Sequence, residues 1–222
     1  MSVRWEGCSC MLPAVDSPDW WRGATPADAP ARDSWPTPRL TGNIDAIPDG
    51  ELDPQGLRPL FFFKASMTDT TLWLNDAHLA VEWSEFTNCH FRQRVKPITN
   101  EHGFSAQGSF ANRPALYRNC VFERVRFKLL GGFSMSRGWY EGCTFLNCRW
   151  EGHFAHDASV VNCTFLGRMN GCVWFGESDR GPNGLRGNDF TQVQFTDNVA
   201  WRRSFPVGEQ TWPPGFQPRV DA

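Results

Sequence analysis

The stretch with the most obvious chemistry is His153-Phe154-Ala155-His156-Asp157. His-x-x-His beside an Asp is a spacing that holds a metal on a helix or a loop, and imidazole is also the commonest acid–base group. Cys8-Ser9-Cys10 offers two thiolates to a soft metal but has no matching pair. His78, His90 and His102 are scattered along the chain. No glycine-rich phosphate loop and no serine elbow occur. The second available chemistry is charge. Residues 92–137 carry 9 Lys/Arg against 2 acids, whereas residues 1–91 carry 6 against 13 and residues 138–222 carry 7 against 9. The total of -2 hides this asymmetry. The candidate binding residues are Arg92, Arg94, Arg118, Arg124, Arg126 and Trp139.

The elements that must position these residues are set by the cysteines. Six of the eight fall in one pattern, Asn/Gly–Cys–any–Phe/Trp, with the cysteine at 89, 120, 143, 148, 163 and 172. Stepping by five from Tyr140 reaches Phe145, Trp150, Ala155, Val160 and Phe165, then Asn170, Phe175, Arg180, Leu185, Phe190, Phe195 and Ala200. The residue two before each centre is mostly small or Cys, as at Gly138, Cys143, Cys148, Ala158 and Cys163. Tyr117, Phe122 and Phe127 keep the same spacing in another register, and Phe86 and Phe91 form a third fragment. Helices repeat at 3.6 residues and strands at 2.0, so a period of five indicates a repeat architecture. Four fives make a coil of about twenty residues, in which each coil buries its centres against its neighbours. Phe145, Phe165 and Leu185 are then expected to stack, as are Cys143 and Cys163. The Asn before each Cys falls at a corner, where its side chain is expected to bond local backbone.

This pattern resembles the pentapeptide-repeat family over roughly residues 84–200, with interruptions. Gly187-Asn188-Asp189-Phe190-Thr191, followed by Val193-Gln194-Phe195, matches best. The chain departs from the family in using Phe and Trp where Leu is usual, and Cys where Ala is usual. The resemblance implies an all-β fold: a right-handed quadrilateral parallel β-helix, with one pentapeptide per face and four per coil. It also implies a protein-binding role. The best-understood members bind DNA gyrase by imitating duplex DNA, which requires an acidic surface; the basic span 92–137 counts against that mode here. Some members dimerise through a C-terminal cap.

Three regions follow. Residues 1–59 are rich in Pro and Trp and read as an irregular arm packed on the solenoid. Residues 60–200 read as the β-helix, opening with a capping coil at 60–83 and broken by loops near 95–112 and 129–138. Residues 201–222 hold Trp201, Phe205, Trp212 and Phe216 and read as a C-terminal cap, within a monomer or across a homodimer. With 18 Phe and 11 Trp, the chain has ample core material. Mean hydropathy is -0.45, and no run spans a membrane. Without a signal-peptide h-region, and with its cysteines at inward positions, the chain reads as a cytoplasmic protein with reduced thiols rather than a disulfide ladder.

The leading functional expectation is a non-enzymatic interaction scaffold with a protein partner, gyrase or another topoisomerase, or a toxin. Direct nucleic-acid binding, a cofactor and a metal are not expected. The period places His153 inward and His156 outward, so His153 is expected to be structural and to need a buried partner. The basic belt is read either as the dock for the acidic arm or as an anion-binding surface. The alternative is an enzyme or small-molecule binder. Its side pocket would be lined by Trp20, Trp21, Trp35, Trp73 and Trp139, with His153, His156, Asp157 or His102 as acid–base groups.

Overall fold

The five-residue unit forms because each of its positions has a separate backbone demand. In the computed structural model, in the column of centres from Leu72 and Phe91 to Phe190, the residue three before each centre sits in the left-handed region: Asp69 (φ 52°), Asn88 (54°), Asn119 (51°), Gly142 (62°), Asn162 (52°) and Gly187 (65°). Only Gly, Asn and Asp adopt this conformation cheaply, and these residues alone fill that corner. Each corner N–H then donates to the next coil, Asn119 to the Glu141 carbonyl at 2.8 Å and Asn162 to Arg186 at 2.9 Å. The motif asparagine is therefore selected by backbone conformation, not by the local side-chain bond expected. The side chain of Asn88 reaches instead to Asp69 in the preceding coil, Nδ2 to Oδ1, at 3.0 Å.

The residue two before the centre fills a small inward slot. In one column the occupants are Cys89, Cys120, Cys143, Cys163 and then Asn188, all buried. Each thiol donates to a centre carbonyl in the previous coil: Cys120 to Phe86 at 3.4 Å, Cys143 to Tyr117 at 3.5 Å and Cys163 to Tyr140 at 3.5 Å. Asn188 keeps the pattern, its Nδ2 donating to the Val160 carbonyl at 2.8 Å. All six motif cysteines are free thiols, so this column is a hydrogen-bonded ladder and not a disulfide ladder.

Stacking these units gives the β-helix. The structure describes residues 39–44, 51–52, 60–73, 79–82, 84–93, 106–107, 115–128, 135, 138–178, 181–196 and 198–221. Among these, the strands form sheets of nine, eight and four strands, each parallel throughout, plus one antiparallel two-stranded hairpin. Centres at Tyr140, Phe145, Trp150 and Ala155 occupy four successive faces, and Val160 returns to the first. The all-β parallel β-helix implied by the resemblance is observed. The interior is a set of ring columns. Phe91, Phe122, Phe145, Phe165, Phe190 and Trp212 stack with successive centroid separations of 4.8, 5.0, 4.6, 4.5 and 5.1 Å. Stacked pairs add about 0.5–1.5 kcal/mol each beyond the area they bury.

The register is less regular than a strict step of five. Phe145 pairs with Phe165, but Cys148 pairs with Gly167 and Trp150 with Met169, so one residue is lost between them. Met169 and Trp174 become the buried centres; Asn170, an expected centre, is exposed. A hairpin of Glu177–Ser178 with Gly181–Pro182 then lengthens the same coil. In consequence Leu185 lies beside Val160, and Phe165 stacks on Phe190 instead of Leu185. The sheets also begin further upstream than residue 60. Arg39–Ile44 pairs with Leu60–Thr68, and Glu51–Leu52 pairs with Thr71–Trp73. Leu60–Thr68 is thus an inner strand and not a capping end. The rest of the expected arm, including Trp20, Trp21 and Trp35, lies outside the described residues.

The tail closes the column as a further partial coil. Gln210 takes the slot after Asn188: its Oε1 accepts from Asn188 Nδ2 at 2.9 Å, and its Nε2 donates to the Leu185 carbonyl at 3.0 Å. Trp212 covers Phe190, and Phe216 covers Phe195 at 4.4 Å.

Candidate functional site

The expected acid–base residues are not brought together. His153 fills the inward slot before Ala155 and is 1% exposed. Its Nε2 accepts the Met135 N–H at 3.1 Å, and the ring meets the edge of Phe127 at 6.2 Å. Burial lowers its pKa from 6.5 to about 4, so the ring is neutral. His156 is half-buried on the outside, stacked on Phe175 at 4.3 Å, with the Asp157 carboxylate 3.9 Å from its Nδ1. His102 lies outside the described residues. Among the described residues no three His, Cys, Asp or Glu side chains gather in a metal-binding group.

The four basic-belt arginines whose side chains are described, Arg92, Arg118, Arg124 and Arg126, are paired with acids of the solenoid. The Glu123 carboxylate is 6% exposed and takes Arg92 Nε at 2.8 Å, His90 Nε2 at 3.0 Å and Arg124 Nη2 at 3.2 Å. Parallel pairing makes this knot, since His90, Arg92 and Glu123 lie on adjacent strands. Arg124 occupies a left-handed corner, at a cost of about 1–2 kcal/mol, where its backbone N–H donates to the Leu146 carbonyl at 2.9 Å. Arg118 sits between Glu85 at 2.7 Å and Glu141 at 3.5 Å, its neighbours in the coils before and after. Arg126 is held by Glu151 at 2.7 Å. These arginines bind acids of the solenoid itself, a third outcome beside the acidic arm and the external anion. Arg94 lies outside the described residues. Trp139 is 1% exposed, packed with Leu116 and Val161 in an apolar cluster outside the main core, so it offers no ring to a partner.

The open polar feature lies one face further on. Arg126 pairs in register with Arg149, Arg149 with Arg168, and Arg168 with Gln194. All four sit one residue before a centre, so they point outward in a row along the solenoid axis. Arg149, Arg168 and Gln194 of this row line a groove of about 620 Å³ together with Asn147, Glu151, Leu166, Asn170 and Gln192. The groove lies where Cys148 pairs with Gly167 and the register slips. Arg149 and Arg168 are exposed, and among the described residues neither has a carboxylate within ion-pair distance. Sequence reasoning missed this row because an unbroken step of five puts Arg168 in an inward slot. The motif Gly171-Cys172-Val173-Trp174 held the correcting signal, since it requires Trp174 and not Phe175 as the centre.

Among the described residues no helix is long and apolar enough to cross a membrane. No protein-family model and no curated protein matches the chain. A solved structure of QnrB1, a plasmid-mediated fluoroquinolone resistance protein, aligns with 83% of this chain and 92% of its own at 13% identity. The TM-score is 0.21, too low to carry an argument. The fold assignment rests on the pairing, corners and columns described above.

Proposed function

We propose that the chain is a non-catalytic protein-interaction scaffold. The observation that carries this reading is the filled interior. Ring columns and slot residues occupy the core, so recognition falls to outer side chains held in rows by parallel pairing. Such rows form a preorganised surface, which lowers the entropic cost of binding. The burial of His153 supports the same reading, because a ring sealed from solvent and bonded to backbone has no proton to exchange with a substrate.

The pentapeptide-repeat resemblance makes DNA gyrase the first partner to test, with a toxin the next. Imitation of duplex DNA needs acidic faces, and the groove row here is basic, which favours a contact of another kind. The full chain is titrated into a gyrase supercoiling assay with and without a fluoroquinolone. Dose-dependent inhibition or protection supports a topoisomerase partner, and no effect removes it. In parallel, immobilised full chain is exposed to a lysate of the source cells. One protein retained at fixed stoichiometry supports the scaffold. Retention of none, together with substrate turnover that His156→Ala abolishes, overturns it in favour of the enzyme.

A further inference from the structure

We propose that the groove beside Arg149 and Arg168 binds an acidic, extended segment of the partner protein, an inference that rests on the scaffold reading. Three arginines in one row is an arrangement that sheets avoid, because like charges on adjacent strands repel. Elsewhere the solenoid cancels such charge: Arg118 lies between two glutamates, and Glu123 gathers three cationic side chains. Only Arg126 of the groove row is cancelled, by Glu151. Arg149 and Arg168 present guanidiniums on neighbouring strands, about 4.8 Å apart at the backbone. Guanidinium forks match carboxylates with paired hydrogen bonds.

The other groove side chains narrow the ligand. Asn147, Gln192 and Gln194 carry amides, which donate and accept and so suit the alternating N–H and C=O groups of a peptide backbone, and the carboxylate in the lining, Glu151, is engaged by Arg126 at 2.7 Å. A single-stranded nucleic acid would want exposed rings to stack on. The ring at this groove, Trp150, is fully buried and gives none. A duplex would want about 6–10 cationic contacts, far more than this row supplies. An acidic strand lying along the row meets successive guanidiniums with successive carboxylates and leaves no ring unsatisfied.

Fluorescence anisotropy on the full chain tests this with three labelled probes: a peptide alternating Glu and Ser, its Gln–Ser counterpart, and an oligothymidylate. The Glu peptide is expected to bind and the Gln peptide not to. Arg149→Glu with Arg168→Glu is expected to weaken binding by about tenfold or more. Arg186→Glu with Arg202→Glu, exposed arginines on other faces, is expected to change it by less than about twofold. An unchanged melting curve shows that both variants fold. The inference is overturned if the Glu peptide does not bind, if the groove variant binds it as well as the control does, or if the oligothymidylate binds as tightly. A partner that still co-purifies with the groove variant overturns the groove alone and leaves the scaffold standing.

Discussion

Two corners of the same solenoid behave differently. The first, from Asp69 to Gly187, repeats six times with left-handed Asn, Asp or Gly, and its slots are filled by a continuous ladder of Cys89, Cys120, Cys143, Cys163 and Asn188. The charges near its start are cancelled by their neighbours. The second runs Arg124 and Asn147, and in the following coil Gly167, with φ 144°, takes the slot beside Cys148 where the register slips. Beside this slip lie the groove and its uncancelled arginines. Where the period is kept, stacking satisfies both the backbone and the charge. Where it breaks, the molecule leaves side chains available for something outside itself.

The sharpest way to break this contrast is Gly167→Ala. A Cβ at that φ would run into the Cys148 carbonyl, so the bulge must rearrange. The expected cost is about 3 kcal/mol, read as a lowered urea midpoint, with loss of groove binding. Gly142→Ala, at the regular corner, meets only the movable Asn119 side chain and is expected to cost about 1 kcal/mol.

The next face along carries the buried ring of His153. The folded protein holds it neutral with a pKa of about 4, against 6.5 when unfolded. Its contribution is complete above pH 6.5 and falls as pH drops toward 4, because the unfolded chain takes up the proton first. Over that window stability should fall by about 3 kcal/mol, at 1.36 kcal/mol per unit. His153→Gln should flatten the dependence of the urea midpoint on pH between 7 and 4.5. A midpoint that falls equally in both proteins would assign the loss to other groups.

Charge gives the smaller effects. Glu123→Ala removes the carboxylate that Arg92, Arg124 and His90 share, and since these are each about a third exposed the cost should be about 2 kcal/mol. Arg149→Gln should change stability by no more than about 0.5 kcal/mol, because no described acid holds it. Equal destabilisation by these two changes in thermal melts would erase the distinction between the cancelled and the open rows.

Much of this was legible in sequence because the five-residue unit makes a separate demand at each position. Asn or Gly announced the corner, Cys the slot and Phe the centre, so Cys143 and Cys163 were correctly stacked. The inward aim of His153 followed from the same register. The slip was not legible to a fixed step, because Gly167 removes one residue without any proline or loop to mark it. The strand Arg39–Ile44 was hidden by the prolines around it. Charge pairing was hidden for another reason. Glu85 lies 33 residues from Arg118, and only parallel stacking makes them neighbours.

The ladder of thiols also makes the molecule its own recorder. Cys89, Cys120, Cys143 and Cys163 stand one per coil, each no more than 1% exposed, so an alkylating reagent has no access to them while the coils are closed. A coil that opens uncovers its own cysteine and is marked irreversibly. The sequence in which the four are alkylated, read by peptide mass, would show from which end the solenoid unzips.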